Sequence, residues 1–358
     1  MLLELSFLAF VSFASLFLMR KVAKSIGLVD KPNERKLHSG AIPLVGGIAI
    51  SLTMSQFILS HSKIVPHSEL FLASIVTLNI VGALDDKFDI SFKIRLLIQA
   101  LLSMGMMCFA DIKLDAIGNL LGMGDVYLGP LSYLVTIFAV IGAINAFNMV
   151  DGIDGLLGGL ATVTFSGIAI LLNINSHYDL AYLCIAFIAA IIPYILMNLG
   201  MLGRKRKVFM GDAGSMMIGF TMIWLLLCAS QDSSVTLIRP VTALWLIAIP
   251  LMDMAAIMFR RARRGDSPFK PDREHLHHIF QRLGCTSRQT LAIICLIASA
   301  FAGFGIYGEL ANIPESIMFA LFMLCFITYT VSMSYVWRIT SWLRRCRNLP
   351  EKTYETSM

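Results

Sequence analysis

The chain alternates long apolar runs with short polar connections. Each run is about long enough for a helix across roughly 30 Å of hydrocarbon, where a helix satisfies its own backbone hydrogen bonds. The pattern therefore predicts an all-α, polytopic integral membrane protein with about 11 transmembrane helices. The apolar segments cover roughly residues 2–19, 44–60, 69–84, 95–111, 131–147, 156–173, 180–198, 214–230, 239–258, 289–307 and 315–336.

Composition supports this reading. Of 358 residues, 57% are hydrophobic and 15% are charged, with a mean hydropathy of +0.75, which is far too apolar for water-soluble domains. The first segment does not resemble a signal peptide, because Arg20, Lys21 and Lys24 follow its apolar run. We expect a single transmembrane domain over 1–358, with main cytoplasmic loops at about 20–43, 85–95, 148–155, 199–213 and 259–288.

The basic residues predict the orientation. If the segments alternate in direction, 26 of the 29 Lys and Arg residues fall on one side and only Lys63, Lys113 and Arg239 on the other. Basic loops face the cytoplasm, so the N-terminus is expected in the periplasm and the C-terminus in the cytoplasm of a bacterial inner membrane. The net charge of +6 then needs no nucleic-acid partner.

Acidic residues gather on the predicted cytoplasmic side. They lie in three separate loops between apolar segments, each at a predicted helix end. Like charges brought together destabilise one another unless a cation or proton intervenes, and oxygen ligands without His or Cys suit Mg²⁺ or Mn²⁺. The sequence therefore predicts a divalent metal site there. The acids are Asp85, Asp86, Asp89, Asp151, Asp154 and Asp212.

Basic and imidazole groups are predicted on the same side. The stretch FRRARR ends segment nine and DREHLHH follows it, while NERKLHSG lies in the first long loop. Guanidinium, ammonium and imidazolium groups beside a metal suit a diphosphate, and Gly46 and Gly47 would let backbone N–H groups approach it. Gly211 and Gly214 bracket Asp212 at a helix start, where the N-terminal dipole attracts anions.

Four ordered motifs carry a resemblance to a known family. LDDKFDIS, NAFNMVDGIDGL, VFMGDAGS and DREHLHH together resemble the polyprenyl-phosphate N-acetylhexosamine-1-phosphate transferases, from about residue 30 to residue 283. The pattern is most similar to bacterial members that transfer N-acetylglucosamine-1-phosphate from UDP-GlcNAc to undecaprenyl phosphate, releasing UMP. That reaction starts enterobacterial common antigen and O-antigen lipopolysaccharide synthesis. His-Leu-His-His, in place of three consecutive histidines, favours UDP-GlcNAc over a muramyl-pentapeptide donor.

The resemblance also implies residue roles. The metal, Mg²⁺ with Mn²⁺ as a substitute, would be held by Asp212 and Asn148. Phe209 would stack on uracil, and a bent ninth helix, with Pro250 as a physical cause, would form a lipid groove. The predicted catalytic residues are Asp85, Asp86, Asp151 and Asp154. The predicted substrate-binding residues are Lys36, His38, Asp89, Arg95, Phe209, Arg260, Arg261, His275, His277 and His278.

Several alternatives stay open. Another UDP-N-acetylhexosamine could be the donor, and the reaction could be a direct displacement or pass through a phospho-aspartate. An ion-coupled membrane transporter is a rival from a different class, although its acids should lie near the membrane midplane rather than at one face. The sequence leaves the oligomeric state open, a homodimer included.

Overall fold

A computed structural model describes residues 1–31, 40–231, 237–267 and 274–335, and helices make up most of them. The helices are α1 (Leu2–Ile26), α2 (Gly46–Ser60), α3 (Ser68–Phe88), α4 (Phe92–Ala110), α5 (Leu131–Met149), α6 (Leu156–Ile174), α7 (Tyr178–Asn198), α8 (Gly211–Ser230), α9 (Pro240–Leu246), α10 (Ala248–Arg263), α11 (Leu276–Arg282), α12 (Ser287–Leu310) and α13 (Glu315–Ser334). A short antiparallel ribbon pairs β1 (Val29–Asp30) with β2 (Ile42–Pro43).

The predicted all-α membrane fold is confirmed. Within the described ranges, nine helices are long and apolar enough to span a bilayer, and α9 with α10 forms a bent pair that makes a tenth. The remaining predicted segment, residues 44–60, holds α2, whose 15 residues give about 22 Å of helix, less than the hydrocarbon thickness. The count of eleven and the orientation of the termini stay predictions.

Helix α8 lies at the centre of the fold. In its most apolar 18-residue window 94% of residues are buried, compared with 17% in α1 and in α13. It packs against α3 and α5, with α2 beside them. A helix that is apolar on every side belongs in the interior, so α8 is the core and α1 and α13 present most of their surface to lipid.

Glycines allow the neighbouring helices to approach the start of α8 closely. A Cβ on Gly47 of α2 would overlap with the backbone of Gly214, and a Cβ on Gly82 of α3 would overlap with the backbone of Ala213. Three backbones therefore meet around residues 213 and 214, without side chains between them. This contact fixes the position of Asp212, which lies in the first turn of α8.

The ninth predicted segment is sharply bent. The axes of α9 and α10 differ by 82°, with the break at Ile247. Pro250 lies three residues further on, and a proline cannot donate the hydrogen bond that the carbonyl four residues earlier would accept. That carbonyl belongs to Leu246, and it accepts a hydrogen bond of 3.1 Å from the Thr164 hydroxyl instead. The predicted bend is confirmed, and α6 satisfies the backbone group that it frees.

Candidate active site

Two of the predicted acids share one arginine. Arg95, in the first turn of α4, places its Nη1 atom 2.5 Å from Asp85 Oδ2 and 3.2 Å from Asp212 Oδ2. Asp85 is buried in the last turn of α3, whereas the Asp212 side chain is 34% exposed. One guanidinium thus offsets two carboxylates that come from helices 127 residues apart in sequence. We call Asp85, Asp86, Arg95, Asn148 and Asp212 the carboxylate cluster.

The side chain of Asp86, a residue of α3, caps the N-terminus of α8. Its Oδ1 atom accepts a hydrogen bond of 3.0 Å from the backbone N–H of Asp212, and Oδ2 accepts one of 3.5 Å from that of Ala213. A Cβ at Gly211, whose φ is +74°, would overlap with the same carboxylate. The helix dipole and the free N–H groups that suggested a phosphate site are therefore engaged by a carboxylate of the protein itself.

Asn148 orients Asp212. At the C-terminal end of α5, its Nδ2 atom donates to Asp212 Oδ1 at 2.7 Å and to Ser215 Oγ at 2.8 Å. Asp212 thus accepts from Arg95 on one oxygen and from Asn148 on the other. The structure brings the two predicted metal ligands together, and it adds the buried Ser215 as a support.

The loop between α5 and α6 carries Asp151 and Asp154. Burial by surrounding protein, followed by the charges of Asp212 and Asp154, raises the pKa of Asp151 from 3.8 to about 7. Part of the Asp151 side chain remains exposed, so water offsets some of that desolvation. Asp154 forms an ion pair of 2.6 Å with Lys207. The two acids therefore have different surroundings, one near a neutral pKa and one paired.

Phe209 lies on a short extended segment just before α8. Its N–H donates to the Pro43 carbonyl at 2.9 Å, and its own carbonyl accepts from the N–H groups of Val45 and Gly46 at 3.1 and 2.9 Å. Because Gly47 N–H likewise donates to Met210, these glycine N–H groups serve the protein backbone rather than a phosphate. The Lys207 ammonium lies 5.2 Å from the centroid of the Phe209 ring.

The histidines form a ladder at the start of α11. The His275 and His277 rings stack with centroids 5.7 Å apart and planes 8° from parallel, and the His278 ring lies 4.1 Å from that of His277. A Cβ on Gly152 would overlap with the His277 ring, so this histidine rests directly on the Asp151 loop. Burial, then the neighbouring His278 and His275, lower the pKa of His277 to about 3. His277 is thus neutral near pH 7, and it offers no imidazolium charge to a phosphate.

Two of the three arginines in the last turn of α10, Arg260 and Arg261, are buried. Arg260 forms an ion pair with Glu274 and donates to the Met333 carbonyl at 2.8 Å, which ties α10 to the end of α13. Arg261 is 4% exposed. Asp89 has a left-handed backbone, with φ of 52°, and an exposed side chain that no contact among the described residues joins to the carboxylate cluster. Lys36 and His38 lie outside the described residues.

Comparisons with known proteins identify the family. Glycosyl transferase family 4 matches residues 69–230. The undecaprenyl-phosphate alpha-N-acetylglucosaminyl 1-phosphate transferase of Yersinia pestis is 54% identical over 343 residues, which cover 96% of this chain and 94% of that protein. This chain belongs to glycosyl transferase family 4. The resemblance to polyprenyl-phosphate sugar-1-phosphate transferases drawn from its four motifs is confirmed.

Further relatives in glycosyl transferase family 4 cover almost the whole chain. The protein of the same name from Escherichia coli strain K12 is 49% identical over 333 residues, 93% of this chain and 90% of its own length. That of Pasteurella multocida is 49% identical over 355 residues, 99% of each chain. The match of 355 residues therefore spans the carboxylate cluster, the Asp151 loop and the histidine ladder.

The donor set of this family member suits a hard divalent cation. Among the described residues no three His, Cys, Asp or Glu side chains form a metal cage. Magnesium, however, commonly takes only one or two protein carboxylates and completes its shell with water and phosphate oxygens. Asp85, Asp86 and Asp212 gather oxygen atoms and negative charge at one point, where a cation would relieve their repulsion. The residues present fit such an ion.

Sequence reasoning missed three supports of this site. Lys207 pairs with Asp154, Ser215 accepts from Asn148, and Asn198 accepts from Gly155 N–H at 2.5 Å while donating to the Val208 carbonyl at 2.8 Å. Lys207 had a usable signal, because it lies two positions before Phe209 and side chains two apart in an extended segment share a face. Asn198 offered none, since its contacts arise only from tertiary packing.

Proposed function

We propose that this chain transfers N-acetylglucosamine-1-phosphate from UDP-GlcNAc to undecaprenyl phosphate, yielding GlcNAc-diphospho-undecaprenol and UMP. Relatives that bear this activity in their names match almost the whole chain at about half identity. The product would be the first lipid-linked intermediate of enterobacterial common antigen and O-antigen lipopolysaccharide. The observation that carries the proposal is the carboxylate cluster, in which distant helices meet through Arg95 and Asn148.

The cluster has the chemistry that a diphosphate donor requires. Asp85 and Asp212 place negative charge beside Arg95, Asp86 lies at the start of α8, and the histidine ladder lies against Gly152 in the loop that follows α5. A divalent ion between carboxylates and a diphosphate neutralises both, and fixed donors stabilise charge that develops on phosphate oxygens. An ion-coupled transporter would instead be expected to place its acids near the midplane, whereas these lie at the ends of α3 and α5 and the start of α8.

Magnesium, with manganese as a substitute, is our proposed cofactor. Asp212 and Asn148 would hold it, since Asn148 Nδ2 and Asp212 Oδ1 lie 2.7 Å apart where α5 meets α8. The ion would supply Lewis-acid stabilisation of the phosphate oxygens. Asn148 would have to present its amide oxygen, and the assignment of oxygen and nitrogen in an Asn side chain follows from its hydrogen-bonding partners.

We favour a direct displacement. An oxygen of the acceptor phosphate attacks the β-phosphorus of UDP-GlcNAc, the bond from that phosphorus to the bridging oxygen breaks, and UMP leaves with the bridging oxygen. Asp85 and Asp86 are poor candidates for a covalent nucleophile, because the first is paired with Arg95 and the second accepts from backbone N–H groups. Asp151 is better suited to accept the acceptor's remaining proton, because its side chain is exposed and no ion pair or hydrogen bond among the described residues engages it.

The donor nucleotide would bind beside the segment that precedes α8. The Phe209 ring offers an aromatic face, and Lys207 adds a cation near it. The excess of basic residues on the same side supports a cytoplasmic site in a bacterial inner membrane, where UDP-sugars are available.

The decisive experiment supplies radiolabelled UDP-GlcNAc, undecaprenyl phosphate and Mg²⁺ to the purified protein. We expect chloroform-soluble label and free UMP, with turnover lost on chelation and restored by Mg²⁺ or Mn²⁺. Asp212→Asn should lower turnover at least about 100-fold while the thermal midpoint changes little. Asp125→Asn, in the exposed outer loop, is the matched control.

The outcomes separate the alternatives. Absence of lipid-linked product from the wild-type protein would remove the transferase proposal and favour a transporter. Faster transfer from another UDP-N-acetylhexosamine would retain the reaction but change the donor. Full activity of Asp212→Asn at ordinary Mg²⁺ would refute the metal assignment alone.

A further inference from the structure

A buried acid outside the carboxylate cluster joins three helices. Asp253, in α10 beyond the bend, is 1% exposed. It accepts hydrogen bonds from His275 Nδ1 at 2.8 Å, from the Leu276 backbone N–H at 3.1 Å and from the Tyr329 hydroxyl at 2.6 Å. A buried carboxylate is costly unless it is well paired, and this one has three donors from α13 and from the start of α11.

We propose that Asp253 is a positioning residue for the transfer reaction, acting through His275 to hold the histidine ladder against the Asp151 loop. The inference rests on the proposed function. It assigns Asp253 no contact with substrate.

The first step of the argument is the orientation of His275. A carboxylate that accepts from Nδ1 requires the proton on that nitrogen and fixes the plane of the ring. The same Asp253 carboxylate also accepts from Leu276 N–H, the first backbone donor of α11, so ring and helix are held by one group. His275 therefore has its orientation and its tautomer set from α10.

The second step carries this position to the Asp151 loop. The His275 ring stacks on His277, and His277 rests on Gly152, which has no side chain to separate them. His277 is 2% exposed, and its Nε2 atom has no hydrogen-bond partner among the described residues. Gly152 directly follows Asp151, so a change at Asp253 would reach the Asp151 carboxylate through two stacked rings.

A purely structural role makes a different prediction. Tyr329 donates to the same carboxylate but belongs to α13, whose most apolar window is only 17% buried. If Asp253 merely tied α10 to α13, loss of the Tyr329 hydroxyl would have the same consequences as loss of the Asp253 charge. If it acts through His275, the two changes should differ in kinetics.

The test is a double-mutant cycle on the full-length protein, assayed with UDP-GlcNAc and undecaprenyl phosphate. Asp253→Asn can place an amide N–H against His275 Nδ1, which reverses the donor and acceptor. We expect kcat to fall about 10- to 100-fold, with the KM for undecaprenyl phosphate changed less than two-fold. Asp253→Asn combined with His275→Asn should be no slower than His275→Asn alone, because both changes break one chain of contacts.

Tyr329→Phe is the matched control, and we expect it to lower the thermal midpoint with kcat within two-fold of wild type. Unchanged kcat in Asp253→Asn, or effects of Asp253→Asn and His275→Asn that multiply, would overturn the inference.

If Asp253→Asn does not fold, Gly152→Ala provides a second test of the inference. Its methyl group displaces His277 from the other end, so a lowered kcat supports the inference and an unchanged kcat refutes it. Because wild-type turnover is measured alongside, failure of the proposed function itself would be recognised separately.

Discussion

At the scale of single residues, pairing decides what each acid can do. Asp85 is bound to Arg95, Asp86 to the N-terminus of α8, and Asp154 to Lys207. The Asp151 side chain is instead exposed, and no ion pair or hydrogen bond among the described residues engages it. Four carboxylates that look equivalent in sequence thus differ in the groups that compensate their charge.

The motifs allowed us to predict which residues form this site, but not which of them form hydrogen bonds or ion pairs with one another. Asp85, Asp86, Asn148 and Asp212 were expected together, and the structure brings them together. That Asp86 would cap α8 depends on how closely α3 approaches α8, and no local pattern encodes that distance. The side chain of Lys207 could have been placed on the face of Phe209 from the spacing alone.

Lys207 offers a direct test of the nucleotide site. Lys207→Ala removes both the ion pair with Asp154 and the cation beside the Phe209 ring. A loss of about 1 kcal/mol of binding corresponds to roughly a five-fold higher KM for UDP-GlcNAc, with the KM for undecaprenyl phosphate unchanged. Steady-state kinetics with each substrate varied in turn measure this. Lys205→Ala, with an exposed side chain two positions away, is the control. Equal effects on both substrates would argue against a nucleotide role.

His277 should make the protein less stable in mild acid. Its pKa is lowered from 6.5 to about 3 in the folded protein, so the unfolded chain binds more protons between those values. The free energy of unfolding therefore falls as pH drops below 6.5, by about 2 kcal/mol near pH 5. Thermal midpoints of detergent-solubilised protein at about pH 7.5 and about pH 5 test this.

His277→Gln should lose less of its thermal midpoint than wild type over that pH interval. His177→Gln, at an exposed position outside the histidine ladder, should behave as wild type. A His277→Gln variant with the same acid sensitivity as wild type would show that other groups dominate the pH response.

At the scale of elements, hydropathy predicted where the membrane-spanning helices lie, whereas the bend between α9 and α10 depends on an individual side chain. The eleven apolar segments hold α1 to α10, α12 and α13, but the short α11 was not predicted, because seven residues give too little periodicity to recognise. The family resemblance implied the bend, with Pro250 as its physical cause. The break itself is at Ile247, since the steric conflict of a proline falls on the preceding turn.

Gly47 tests the packing between α2 and α8. A methyl group there would overlap with the Gly214 backbone, so Gly47→Ala must separate the two helices, at a cost of about 1–3 kcal/mol, and should lower both the thermal midpoint and turnover. Gly303→Ala in α12 is the matched control, because no atom lies within 4 Å of its added Cβ. In that open position the change should be neutral or stabilise the helix. Equal behaviour of the two variants would contradict the proposed packing.

At the scale of the whole molecule, the orientation in the membrane remains a prediction from charge. In a cysteine-free background, Asp125→Cys in the loop between α4 and α5, which is predicted to be periplasmic, should react with a membrane-impermeant maleimide on spheroplasts. Lys205→Cys, two residues before Lys207 and with an exposed side chain, should react only after permeabilisation. The reverse pattern would place the active site in the periplasm. A homodimer also stays a prediction, and size analysis of the same detergent-solubilised protein tests it.

The meeting of α2, α3 and α8 at bare backbone has a consequence for engineering. Asp212 directly precedes the positions where main chains touch, at Gly47, Gly82, Ala213 and Gly214. Backbone atoms there cannot change rotamer to accommodate a substitution. Attempts to redesign sugar preference there would have to shift entire helices. The periphery formed by Lys207, Phe209 and the histidine ladder consists of side chains, so altered donor selectivity is best sought by varying those positions.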